Sequence, residues 1–85
     1  RRARMKLLYA NDRTCIVNAE YIVKMRLVCN RITPCEKYEV VAETINDGNY
    51  VIVNNMTEAD AKARLRKIGN YLITDASFLI DFNEE

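Results

Sequence analysis

The chain has no histidine among its 85 residues. That removes the commonest general base, the commonest metal ligand and the usual partner of a serine or cysteine nucleophile. Three cysteines could bind zinc with a carboxylate as fourth ligand, but Cys15, Cys29 and Cys35 show no Cys-x-x-Cys spacing. Cys15 and Cys29 fall in apolar runs, where a free cysteine behaves as a small buried hydrophobe. Cys35, beside Pro34, is the most exposed candidate thiol, and its only local cation is Lys37. Paired carboxylates occur at Glu36 with Glu39, a loop–strand junction, and at Glu58 with Asp60, where helix capping explains them better than acid–base work. Gly48 and Gly69 stand alone, so there is no glycine-rich phosphate loop. These residues predict a protein that is not an enzyme and carries neither cofactor nor metal.

The polar side chains that remain could bind rather than react. Lys62, Arg64, Arg66 and Lys67, with Tyr71, form the candidate binding face on the back of a helix. Lys24 and Arg26 add positive charge on a strand. A cluster of this kind suits an anion, either nucleic acid or a nucleotide. An ordinary solvated helix face balanced by nearby acids reads the same way. Tyr9, Tyr21, Tyr38, Tyr50 and Tyr71 offer stacking or half-buried rim surface. Five tyrosines without tryptophan also fit a flat protein–protein contact.

Net charge is +1, too small to draw the chain to nucleic acid or an anionic membrane. Residues 1–4 read RRAR; without their three arginines the charge becomes −2, so they are expected to be a basic extension or an extraneous, non-native end ahead of a single domain over residues 5–85. No stretch is long enough to span a bilayer and no signal peptide is visible. An odd cysteine count at irregular spacing suggests no disulfide framework, and the expectation is a reduced, cytoplasmic setting. A domain this small buries only about 60% of its unfolded surface, so an oligomer interface would help, and a homodimer is expected.

The elements that must position these residues follow from periodicity. Ala61, Leu65, Ile68 and Leu72 are spaced i, i+4, i+7 and i+11, one face of a helix. Thr57 is its N-cap, with Asp60 three residues on in a variant capping box. Arg64, Arg66 and Lys67 are expected in its last turns, and Thr74 and Asp75 at its end. Gly69, beside the stripe, is expected to let the helix approach a strand closely.

Ahead of the helix come Lys6–Ala10 and Thr14–Asn18 around Asn11-Asp12-Arg13, which read as a hairpin. Residues 21–29 alternate, with Tyr21, Val23, Met25, Leu27 and Cys29 on one face and Lys24 and Arg26 on the other. Residues 38–45 and 50–54 flank Asn46-Asp47-Gly48-Asn49, a strong hairpin signal. Residues 77–82 read as a closing strand, with a short helix from Asp75 as the rival. The predicted fold is α+β: an antiparallel twisted β-meander of about five strands, packed by one amphipathic helix, with a short C-terminal strand.

From Met5 onward the chain resembles a group of small proteins encoded by phages and mobile elements of Firmicutes. The likeness is carried by the opening MKLLYANDRT, by YEVVAETI, and by a strand leading into Thr-Glu-x-x-Ala-x-x-x-Leu-x-x-Ile, matched by Thr57, Glu58, Ala61, Leu65 and Ile68. These are cap, stripe and turn residues, so no active site carries over. The resemblance implies a small non-catalytic binding protein that inhibits a host protein or defence system, or sequesters a nucleotide signal. The alternatives are a nucleic-acid-binding regulator using the basic helix face and a structural or assembly protein.

Overall fold

A computed structural model describes residues 6–30, 37–74 and 79–83. The fold is α+β: six strands in two three-stranded sheets, and one helix, among the described residues. The strands are β1 (Leu7–Ala10), β2 (Cys15–Asn18), β3 (Ile22–Asn30), β4 (Lys37–Thr44), β5 (Asn49–Met56) and β6 (Leu79–Ile80). A 3-10 turn, Ala19–Tyr21, joins β2 to β3, and the helix α1 spans Glu58–Ile73 between β5 and β6.

The meander is β3–β4–β5, antiparallel throughout. The N-terminal hairpin stands in a second sheet of order β2–β1–β6, where β6 runs parallel to β1. Closing strand residues Leu79 and Ile80 thus pair with Leu7 and Leu8 at the start of the fold; Asp75, the start of the rival helix, and residues 77 and 78 lie outside the described residues, as does Cys35. Lys37, one residue ahead of the strand expected from residue 38, already belongs to β4.

The core lies between the sheets and the helix. Leu8, Val40, Ile52, Val53 and Ile68 are its largest fully buried side chains. Each contributes about 1.5–3 kcal/mol through removal from water. Neighbours Ile52 and Val53 are both buried, whereas successive side chains of a regular strand point to opposite faces. The register explains it: Val40 pairs with Val53 but Val41 with Val51, so Ile52 is an extra residue in a β-bulge. Another bulge corrects the alternation expected in β3. Ile22 pairs with Thr44 and Lys24 with Glu43, leaving Val23 unpaired. Ile22, Met25 and Leu27 therefore pack on the core, while Tyr21 and Val23 face water.

The helix starts as its sequence requires. Thr57 Oγ1 accepts the Asp60 N–H at 3.2 Å. Ala61 and Ile68 are buried, and Leu65 and Leu72 pack against the core. Thr74 caps the other end, its N–H donating to the Tyr71 carbonyl at 3.2 Å. The last turn carries no basic residue, because α1 runs on to Ile73, well past Lys67. Gly69 also departs from expectation: it is exposed, and a Cβ there would meet nothing within 4 Å.

The turn after β1 ties the layers together. Asn11, Asp12 and Arg13 all have positive φ, at 53°, 56° and 67°. Such a left-handed run costs about 1–2 kcal/mol per residue, least for Asn and Asp. Side chains brace it: Asn11 exchanges bonds with Val51, its N–H donating to Val51 O at 2.7 Å and its Oδ1 accepting the Val51 N–H at 2.9 Å. Asp12 Oδ1 accepts from Asn54 Nδ2 at 2.9 Å, and Arg13 Nε donates to Asp81 Oδ2 at 2.6 Å. The Arg13 guanidinium also stands 5.0 Å above the Tyr9 ring, which gives that tyrosine a structural task.

Candidate functional site

Where β2 turns through Ala19–Tyr21 into β3, the two sheets leave a half-open pocket of about 150 Å³. Its walls are Ile16, Val17 and Asn18 of β2, Tyr21, Thr44 at the end of β4, Asn46 in the following turn and Tyr50 of β5. None of the seven carries a charge.

The local sequence shapes these walls. Thr44 is the hub of the β4–β5 turn: its N–H donates to Gly48 O at 2.9 Å, its carbonyl accepts the Asp47 N–H at 3.0 Å, and its Oγ1 accepts the Gly48 N–H at 3.2 Å. Asp47 takes the left-handed conformation, at φ 66°, and Gly48 does not. Gly48 is needed for space instead, since a Cβ would stand 2.9 Å from Tyr50 Cε2 and 3.0 Å from Thr44 Oγ1. Asn18 Oδ1 accepts the Glu20 N–H at 2.9 Å and so caps the 3-10 turn that presents Tyr21.

Two of the walls, Ile16 at 53% exposure and Tyr21 at 56%, are large apolar side chains that face water, and Val23 at 65% and Ile45 at 66% are exposed close by along the chain. The Ile45 N–H donates to Tyr21 O at 2.8 Å, which holds these two together. Val23 is exposed because the bulge turns it outward. Such a gathering marks interaction surfaces more often than chance exposure.

On the far face of the meander, Glu43 accepts from Arg26 Nε at 2.6 Å and lies 3.8 Å from Lys24 Nζ. The Arg26 hydrogen bond, helped by the positive charges of Lys24 and Arg26, outweighs partial desolvation and holds the Glu43 carboxyl below its ordinary range. Both strand cations are therefore engaged.

The helix face expected from the sequence is divided. Lys62 is exposed and pairs with Glu58 at 3.3 Å, one turn away. Arg66 and Lys67 are exposed and have no ion pair among the described residues. Arg64 is half-buried and its Nη1 donates to the Phe82 carbonyl, so it fastens the C-terminal segment. Tyr71 corrects the expectation most: it is 6% exposed, packs edge-on to Phe82 at 5.7 Å between ring centres, and reaches Leu7 O with its hydroxyl at 3.5 Å. It sits three residues after Ile68, on the buried stripe rather than on the back of the helix.

Tyr21 and Tyr50 were legible as candidate contact residues, whereas Ile16, Val23 and Ile45 were not. A signal existed in Ile45, a large apolar residue directly before the polar turn Asn46-Asp47-Gly48. Among the described residues, no three cysteine, aspartate or glutamate side chains come together as metal ligands would, and no helix is long and apolar enough to cross a membrane. No family model, curated protein or solved structure matches this chain.

Proposed function

We propose that this chain is a non-catalytic binding protein that docks on another protein through Ile16, Tyr21, Val23 and Ile45. The observation that carries this reading is a pocket without a charged wall that is lined by exposed Ile16 and Tyr21, with two more exposed apolar residues, Val23 and Ile45, close to its lining in the chain. Interface cores are poor in charge and rich in aromatic and aliphatic anchors, and a pocket beside such anchors is where binding energy concentrates. The likeness to phage-encoded proteins makes a host protein of the cytoplasm the partner class to try first. A nucleotide fits less well, because no wall of the pocket supplies the cation that a phosphate needs. On the described helix face, nucleic acid would find Arg66 and Lys67, two solvated cations that offer little beyond salt-dependent contact.

The test is a photoreactive amino acid placed at Ile45 or at Lys67 of the protein expressed in its source cells. Protein-sized adducts from position 45 and none from position 67 support the reading. Nucleic-acid adducts from position 67, with nothing from position 45, overturn it.

A further inference from the structure

The order β2–β1–β6 makes β2 an edge strand. The Ala19 N–H donates to Lys6 O at 2.9 Å, and the same register pairs Leu8 with Val17 and Ala10 with Cys15. Hydrogen-bonded pairs alternate along an antiparallel ladder, so Cys15 and Val17 turn their backbone groups to β1. Ile16 and Asn18 turn theirs outward. Among the described residues nothing takes the Ile16 N–H or C=O. Asn18 caps the 3-10 turn, which uses its carbonyl and leaves its N–H.

We infer that a second copy of this chain adds its β2 to the first, antiparallel about a twofold axis at Ile16. The two sheets then become one of six strands. Ile16 of each copy exchanges both backbone bonds with Ile16 of the other. The Asn18 N–H of each reaches the Thr14 carbonyl of the other, two residues further along the same register. The exposed Ile16 side chains become a cross-strand pair, which buries apolar surface that one copy leaves in water. Charge permits it: Thr14 to Ala19 is uncharged in every residue, so no side chain repels its own copy. Self-pairing along β3 would instead set Lys24 and Arg26 against their own copies. A twofold axis across an antiparallel pair stands perpendicular to the sheet, so both pockets flank it on the same side and present one composite surface. The inference goes beyond the partner reading above and does not depend on it.

Light scattering of the full chain over a concentration series tests it. The wild type is expected at twice the mass of one chain. Ile16→Pro removes the outward N–H without touching the ladder to β1, the kind of position where an edge strand tolerates proline. It is expected to halve the mass. Ile16→Lys, which keeps the backbone and puts like charges at the axis, covers the case in which the proline variant does not fold, and should also be monomeric. Lys24→Ala should leave the dimer intact. A wild type monomeric at every concentration overturns the inference, and so does a folded Ile16→Lys that stays dimeric. A monomeric wild type that still gives protein adducts from position 45 sinks the dimer and leaves the partner reading standing.

Discussion

β2 and β3 are both edge strands, and they are finished in opposite ways. β3 carries Lys24 and Arg26, and a bulge at Val23 breaks its register. Charges and bulges of this kind stop a sheet edge from recruiting another chain. The other edges are closed too. β5 has its amides at Val51 and Asn54 taken by the side chains of Asn11 and Asn83, and β6 has only two residues, Leu79 and Ile80, among those described. Among the described residues β2 has none of these protections beyond its four-residue length, and it supplies three walls of the pocket. In a molecule that guards its edges this consistently, an unguarded one marks the surface kept for contact.

Neighbouring residues of β2 give the largest expected effect and the sharpest contrast. Val17 is buried in the core and Ile16 is not. Val17→Ala should lower stability by about 2 kcal/mol, from lost burial and the cavity left behind. Ile16→Ala should stay within about 0.5 kcal/mol of the wild type. Urea unfolding at concentrations low enough to prevent association measures both. Equal losses at the two positions would mean that Ile16 is part of the core rather than of a contact surface.

The two glycines compare the pocket with the helix back. Gly48→Ala should cost about 1 kcal/mol, because the new methyl must push the Tyr50 ring and the Thr44 hydroxyl aside. The Tyr50 ring resonances should shift with it, since that ring is a pocket wall. Gly69→Ala should act in the opposite direction. Its Cβ enters open space on a helix interior, so the gain should approach 1 kcal/mol, read as a higher melting temperature with the Tyr50 resonances unchanged. A loss at Gly69 would restore the close helix–strand approach that its position beside Ile68 suggested.

That reversal shows where the sequence was legible. Periodicity placed the helix, its cap at Thr57 and the strands, because burial of one face imposes it directly. Strand alternation failed at Val23 and at Ile52, where an extra residue in one strand flips every side chain beyond it and nothing in the residue types announces the bulge. The surroundings of several candidate residues were hidden too. Tyr21 and Val23 read as one face with Met25 and instead stand outside the core. Tyr71 and Arg64 read as a polar helix back, yet both are held by the C-terminal segment, through Phe82. A contact between residues 64 and 82 depends on the chain's return beside β1, which no local pattern encodes. The division into two sheets was hidden likewise, since parallel pairing of β6 with β1 joins the two ends of the chain.

The smallest expected effect separates the two edges by pH. Glu43 is held below the ordinary glutamate range by the Arg26 hydrogen bond and then by the Lys24 and Arg26 charges. A carboxyl with a depressed folded pKa adds stability at pH values above its unfolded pKa, where both states are ionised. That contribution fades as pH falls below about 4.3, when the unfolded chain takes up its proton first, and it is gone below the folded pKa. A carbon-detected titration of the Glu43 carboxyl should therefore show a midpoint below that of glutamate in a short peptide. Arg26→Ala should raise the midpoint more than Lys24→Ala, because Arg26 makes the 2.6 Å hydrogen bond and Lys24 acts only by charge from 3.8 Å. The reverse ranking would locate the shift in charge alone. Neutralising Glu43 also leaves Lys24 and Arg26 as uncompensated cations, so acid makes β3 a worse template for pairing. Thr14, Ile16 and Asn18 carry no titrating side chain, so association through β2 should be unchanged between neutral pH and the onset of Glu43 protonation. Association that weakened in step with the Glu43 titration would move the contact surface from β2 to β3.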